Sequence, residues 1–386
     1  MNLCHIITKL ELGGAQLSTL HILSRLPKDK YTISLITSSK GMLKPDFRAL
    51  SHVQCHFLPL LHRPINPLFD LAVFLQIYFI LRKDKYSIVH THSSKAGVIG
   101  RWAARLARVP VIMHTVHGWS FNDYQRPLRR KLFIFLERMT AKFTSNIICV
   151  SQKDIDTGLK YKIAPEHKFE FIPYGIPIPK FRRSPAGIPE KKRGLGILND
   201  DPVIGMISCL KPQKSPLDFV QASLKIYEQH PRVNFLLVGD GVLRGKCKKL
   251  LNGSPLNGRF IFTGWRRDVS EILDVMDVAV LTSKWEGMPI SVMEALCKGC
   301  PVVATGVGGT PELIKNRVNG FLTQPGSHEE VAAKTLEILS DTNLFHQMKA
   351  QAASSIDETF CVDRMTEKTA DLYKKMFVSK QDCLDG

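Results

Sequence analysis

The sequence predicts an α/β protein made of two doubly wound, Rossmann-like domains facing a cleft. Strand-like runs rich in Ile, Val and Phe recur along the 386 residues, and segments of helical periodicity lie between several of them. The alternation pauses once, at a basic, Pro-rich stretch, and then resumes. The first series of runs is Leu3–Thr8, Thr32–Thr37, Val53–Leu60, Ser87–His92, Val111–His117, Asn146–Ser151 and Phe169–Pro173. Helical spacing marks Gln16–Leu26, Ala96–Ala107 and Leu128–Lys142. Leu68–Leu81 is the longest apolar stretch; it contains Asp70 and Gln76 and falls short of the ~20 residues that cross a bilayer, so a core helix is expected. Residues 1–176 form the expected first domain. Pro177, Pro179, Pro185 and Pro189, set among Lys and Arg, read as a linker over residues 177–196. The second series is Val203–Ser208, Val233–Gly239, Arg259–Gly264, Val278–Thr282, Pro301–Thr305 and Gly320–Thr323, within a domain at 197–361. A final helical pattern covers 362–378. Ligands of such sheets bind beyond the carboxyl ends of the strands.

The formal net charge is +18, and the isoelectric point lies near 9.5. A negative partner surface is implied: nucleic acid, anionic lipid or a phosphorylated substrate. No finger spacing or aromatic RNA-binding motif accompanies the charge, so no nucleic-acid partner is expected. Arg126, Arg129, Arg130, Lys131, Arg138 and Lys142 interleave with Leu, Ile, Phe and Met between Arg126 and Lys142, which suits an anionic membrane surface as well as an ordinary amphipathic helix. The start of the chain lacks the n-region, h-region and cleavage site of a secretory signal. Nine cysteines without framework spacing suggest reduced thiols in a cytoplasm. Cys297 and Cys300 form one CxxC pair without a second pair or nearby ligands, which makes no metal site.

The chemistry concentrates in SKWEGMPISVMEALCKGCPVVAT, Ser283–Thr305. Glu286 precedes a Gly-Met-Pro turn, and Glu294 follows eight positions later. A Pro near a helix start costs no needed donor, and the free N–H groups of the first turn favour an anion such as phosphate. Gly287, Met288, Pro289, Ile290 and Ser291 therefore make a candidate diphosphate site. Glu286 is expected beside it and Glu294 about two helical turns further, on nearly the same face. Two acids at this spacing alone mark only a polar helix surface. The turn, the helix and GVGGTPELI in order fit a nucleoside diphosphate sugar, with one carboxylate on the sugar and the other on the ribose.

Other positions join this reading. Gly13 and Gly14 follow the first strand, where small residues let a phosphate approach. His117 ends a strand and can bond a sugar hydroxyl, while His92 and Lys95 are candidates for acceptor contacts. Gly239 (within VGDG) reads as a turn near the nucleotide, and Gly264, Trp265 and Arg266 are expected past the base through backbone groups. Gly308, Gly309 and Thr310 offer further amides, with Glu312 packing or capping. Gly241–Cys247 fails the P-loop spacing, and no G-x-G-x-x-G opens a first βα turn, so a nicotinamide or flavin cofactor is not expected.

Together GGAQ, HTHSSKAG, HTVHGWSF, the PYG segment, LKPQK, LLVGDG, FTGWRRDV and the paired glutamates resemble the retaining glycosyltransferases of the GT-B fold, family 4, across nearly the whole chain. The likeness is to bacterial capsule, exopolysaccharide and lipopolysaccharide transferases. It implies a nucleotide-sugar donor (UDP), a lipid-linked glycan acceptor at the inner membrane face, no metal, and a C-terminal helix crossing back to the first domain. It also implies that His117 is the family's HG histidine and that Lys214 neutralises the departing diphosphate. SCLKPQKS departs from the family pattern, since Cys209 stands where an Arg is usual. A thiol offers a phosphate almost nothing, so Lys211 is the candidate substitute. A nonhydrolysing nucleotide-sugar epimerase and a scaffold subunit that has lost catalysis are the alternatives.

Overall fold

A computed structural model of the chain describes residues 1–62, 64–182, 184, 187–197, 201–256 and 258–385, with side chains to residue 381. Pro185 of the expected linker lies outside these residues. Two compact units emerge: residues 1–175 with 359–386, and residues 176–358.

The first unit is built on seven parallel strands: β1 (Asn2–Ile6), β2 (Thr32–Ser38), β3 (Val53–Leu58), β4 (Ile88–His92), β5 (Val111–Val116), β6 (Asn146–Cys149) and β7 (Phe169–Phe171). Their order is β3-β2-β1-β4-β5-β6-β7, so the winding reverses between β1 and β4. Helices cover both faces, so most of these strands are buried, and their polar residues, His5, His90, His92 and His114 among them, are buried with them. The helix Ser94–Leu106 lies close on the sheet because Gly97 and Gly100 face it; a Cβ at Gly97 would meet the His114 ring at 2.6 Å. The helix Val362–Asp385 packs on the helix Gly14–Arg25, joined by Arg25–Asp363 at 2.8 Å, and buries Tyr373 completely.

The second unit carries six parallel strands: β8 (Val203–Ile207), β9 (Asn234–Val238), β10 (Phe260–Gly264), β11 (Val278–Leu281), β12 (Val302–Thr305) and β13 (Gly320–Thr323). Their order, β10-β9-β8-β11-β12-β13, places the reversal between β8 and β11.

One expectation changes and another narrows. The stretch 177–196 is not a plain linker, for it holds a 3-10 turn at Ile178–Phe181 and a helix at Ile188–Gly194, and Lys191 anchors to Asp268 at 2.7 Å. Pro177, Pro179 and Pro189 sit at helix starts, where they are tolerated. The apolar segment at Leu68–Leu81 is a helix, Pro67–Asp84, as expected, but only one of its faces enters the core. Val73, Ile77 and Leu81 are buried, whereas Leu68, Phe69, Leu71, Leu75 and Phe79 are exposed, Leu68 by 78%. Among the described residues, no helix is long and apolar enough to cross a membrane.

Candidate functional site

In the second unit, the loops after β8 and β11 leave neighbouring strands at the reversal, where crossovers diverge and open a crevice. They bring Lys214 and Glu286 together although 72 positions separate them: Lys214 Nζ donates to Glu286 Oε1 at 2.5 Å. The Ser283 hydroxyl donates to the same oxygen, also at 2.5 Å. Backbone ties fix the two loops. Lys284 N–H donates to the Gln213 carbonyl at 2.8 Å, and the Gln213 amide to the Trp285 carbonyl at 2.9 Å. Thr282 donates to the Ser215 carbonyl at 2.9 Å, and Ser215 holds a left-handed φ of 45°, a conformation a Ser adopts only under constraint.

The loop after β12 completes the wall. Gly309 N–H donates to the Gly287 carbonyl at 2.6 Å. Gly308 has a φ of 56°, and a Cβ there would lie 2.2 Å from the Glu286 carbonyl, so this turn admits only glycine. Thr310 is fully buried, and its hydroxyl has no partner; the buried Ser208 hydroxyl after β8 is likewise unpartnered.

The helix Ile290–Cys297 begins directly after the Gly-Met-Pro turn, with Pro289 as its cap residue. Glu294 is on the helix, but Glu286 lies in the loop before it, so the two do not share a helix face. Gly287, Met288 and Pro289 are buried around this entry, and Ile290 and Ser291 are partly open. Glu294 keeps part of its surface, yet its carboxyl lies deep enough that burial pushes its pKa up to about 8, against a smaller opposite pull from Lys180.

Other expected residues arrange around the carboxyl ends of the same strands. Gly239 N–H donates to the Gly264 carbonyl at 2.8 Å. Trp265 is half-buried, and Arg266 forks onto Asp268 at 2.8 and 2.5 Å, so its guanidinium is engaged. Cys209 and Lys211 are partly exposed in the loop after β8. Cys297 and Cys300 are buried thiols that form no disulfide with each other.

In the first unit, Gly13 caps the helix that Gly14 begins. His92 is buried, with Nε2 on His5 at 2.9 Å and Nδ1 on His117 at 3.0 Å, so an acceptor reaches it only through His117. Lys95 is held by Asp70 and by the Pro64 carbonyl, the latter at 2.6 Å. His117 is half-buried and also meets the Tyr174 hydroxyl at 2.5 Å. His5, His90 and His92 have metal-ligand proximity, but each of their six ring nitrogens already has a hydrogen-bond partner.

Sequence reasoning missed Ser283 and the partner roles of His5, Tyr174 and Tyr373. Ser283 had a local signal, since a Ser three residues before a Glu can reach its carboxylate. The others become neighbours only through sheet order and the last helix.

Comparison with known proteins matches residues 12–179 to the model described as Glycosyltransferase Family 4 and residues 187–355 to Glycosyl transferases group 1. The UDP-Gal:alpha-D-GlcNAc-diphosphoundecaprenol alpha-1,3-galactosyltransferase of Escherichia coli is 34% identical over 98% of both chains. The chain belongs to the family 4 glycosyltransferases. As a glycosyltransferase it is also 23% identical to the capsular polysaccharide biosynthesis glycosyltransferase CapM of Staphylococcus aureus, over 90% of this chain and 91% of that one. The crystal structure of Anabaena HepE in complex with UDP and glucose superposes with a TM-score of 0.85 at 23% identity, covering 97% of this chain and 100% of that one. This likeness establishes the GT-B fold for the glycosyltransferase.

Proposed function

We propose that this glycosyltransferase moves a hexosyl group from a UDP-sugar to a lipid-linked or growing glycan acceptor, with retention at the anomeric carbon. The observation that carries the reading is the Lys214–Glu286–Ser283 cluster at the reversal of the second sheet, with a glutamate still to be partnered on the helix that follows. The Escherichia coli relative is named for UDP-Gal and a diphosphoundecaprenol-linked acceptor, which supports these classes here.

In this mechanism the acceptor oxygen bonds to the anomeric carbon as the bond from that carbon to the β-phosphate oxygen breaks. The electron pair leaves with UDP, and the acceptor's proton passes to that phosphate oxygen on the same face. Lys214 leaves Glu286 for the diphosphate, Lys211 supplies the second cation that Cys209 does not, and the N–H groups of Gly287, Met288, Ile290 and Ser291, which Pro289 lacks, complete the anion site. Gly14 is a further candidate for contact with the diphosphate. Released from Lys214, Glu286 accepts from sugar hydroxyls, and Glu294 accepts from the ribose beside the Gly239, Gly264, Trp265 and Arg266 backbone. His117 bonds the transferred sugar, and Lys95 borders the acceptor. Positive charge from lysines and helix amides does the work a metal would do, so none is required. The enzyme works at the inner membrane face, docked on anionic lipid through Arg126–Lys142.

The test is release of UDP from a panel of UDP-sugars, in EDTA, with and without a diphosphate-lipid-linked sugar acceptor. Acceptor-dependent release with a product of unchanged anomeric configuration is expected. An inverted product overturns retention, a free epimerised donor points to the epimerase, and no turnover with any donor points to the scaffold.

A further inference from the structure

The reversal of the first sheet holds a chain of four histidines that runs from the Tyr174 hydroxyl to the Thr115 hydroxyl, with the Tyr373 hydroxyl inside it. His5 comes from β1, His90 and His92 from β4, and His117 follows β5. Tyr174 Oη lies 2.5 Å from His117 Nδ1, His117 Nε2 lies 3.0 Å from His92 Nδ1, and His92 Nε2 lies 2.9 Å from His5 Nδ1. The chain continues from His5 Nε2 to Tyr373 Oη at 3.1 Å, from Tyr373 Oη to His90 Nδ1 at 2.6 Å, and from His90 Nε2 to Thr115 Oγ1 at 2.7 Å. All eight ring nitrogens are used.

A neutral imidazole carries one N–H and one lone pair, so the tautomer of one ring dictates that of the next. Burial keeps the rings neutral: it pushes His5 and His117 down to about 3, and His90 and His92 fall well below the usual range through burial and then because a second positive ring in the cluster would be repelled by the first. Two proton orderings satisfy the path. In the first, Tyr373 donates to His5, and His117 is left donating to Tyr174. In the second, Tyr174 donates to His117, each ring passes an N–H onward, and Tyr373 accepts from His5 while donating to His90. Hydroxyl donors sit closer to their acceptors than N–H donors do. The two shortest contacts, 2.5 and 2.6 Å, are the ones the second ordering makes O–H donations by tyrosine, and the longest, 3.1 Å, is an N–H donation in it.

We propose that Tyr373, on the last helix, is a positioning residue that fixes His117 as the Nε2–H tautomer with its Nδ1 lone pair toward Tyr174. His117 then accepts a hydrogen bond from a sugar hydroxyl that displaces the Tyr174 hydroxyl, and cannot donate one. Only this last consequence rests on the reading that His117 touches the transferred sugar.

Two-bond 1H–15N spectra of the histidine-labelled protein test the ordering directly. In the wild type His5, His90, His92 and His117 are each expected as Nε2–H; an Nδ1–H His117 overturns the proposal without any variant having to fold. Tyr373→Phe keeps the ring and removes both hydroxyl contacts. His117 is then expected as a mixture of tautomers, with kcat lowered roughly five-fold and the donor KM unchanged. A His117 that stays wholly Nε2–H in this variant also overturns the proposal. If the tautomer shifts while kcat holds, the chain stands and the sugar contact assigned to His117 falls.

Discussion

Glu286 and Glu294 are the same residue in different surroundings, and each surrounding makes its own prediction. Glu294 has a pKa pushed up to about 8 by burial. Ribose hydroxyls donating to its carboxylate stabilise the charged form, so UDP binding lowers that pKa and releases a proton. Affinity for UDP should therefore rise from pH 6 to about 8 and level off above it, while Glu294→Gln binds more weakly, by roughly 10- to 150-fold at the plateau, and shows little pH dependence. Calorimetry in two buffers of different ionisation enthalpy reads the proton directly, and a wild-type affinity flat across that range would remove Glu294 from the ribose. Glu286 instead holds Lys214, the lysine that the proposed mechanism turns to the diphosphate. Lys214→Ala and Glu286→Gln should each lower kcat by at least 10-fold, whereas Cys209→Ala changes little, because only a cation relieves the leaving group. Wild-type turnover in Lys214→Ala would place the phosphates elsewhere. These residues were legible because a turn, a helix and a small-residue run surround them in order. Their pairing was not, since 72 positions of chain separate Lys214 from Glu286 and only strand order closes the gap.

The elements were legible in different degrees. Each β-branched run became a strand within a residue or two, because a strand buried on both faces announces itself by composition alone. The helix Pro67–Asp84 was legible as a helix, yet its apolar residues are too many to reveal which face is inward. Its exposed residues Leu68, Leu71, Leu75 and Phe79 form a stripe at helical spacing, and Leu128, Leu132 and Phe135 form another on the basic helix Pro127–Ala141. Both helices pack against the helix Ser94–Leu106. An anionic bilayer suits apolar stripes edged by Arg126, Arg129 and Lys131, which are themselves exposed. Replacing Arg126, Arg129, Arg130 and Lys131 with Gln should weaken binding to anionic vesicles by a few kcal/mol, at ~1 kcal/mol per charge, and make it less sensitive to salt. Leu68→Ser with Leu75→Ser and Phe79→Ser should weaken binding at every salt concentration. Donor affinity should not change in either. Salt-insensitive binding, equal on neutral and anionic vesicles, would show both stripes to be ordinary surface.

At the scale of the whole molecule, the two units should respond differently to acid. His5, His90, His92 and His114 are almost wholly buried, and burial holds each below its usual pKa. The unfolded chain therefore binds more protons below about pH 6.5, so this stability is fully present above that value and is lost as pH falls. Each such histidine removes ~1.4 kcal/mol per pH unit, against a typical domain stability of ~5–15 kcal/mol. No described histidine of the second unit is buried. Hydrogen exchange resolved by peptide should show the first unit opening near pH 5 while the second remains protected, and a single transition shared by both would contradict this. The helix that carries Tyr373 has a consequence for how the protein is made. Residues 359–386 belong to the first unit, so its interior lacks the Tyr373 hydroxyl and the Met365 contact with Ser18 until the second unit has left the ribosome. Domains usually finish in the order of synthesis, but here the domain begun first is completed last. Until then His5 and His90 lack their Tyr373 partner, and a nonsense codon between Glu358 and Tyr373 damages the domain farthest from it in the message.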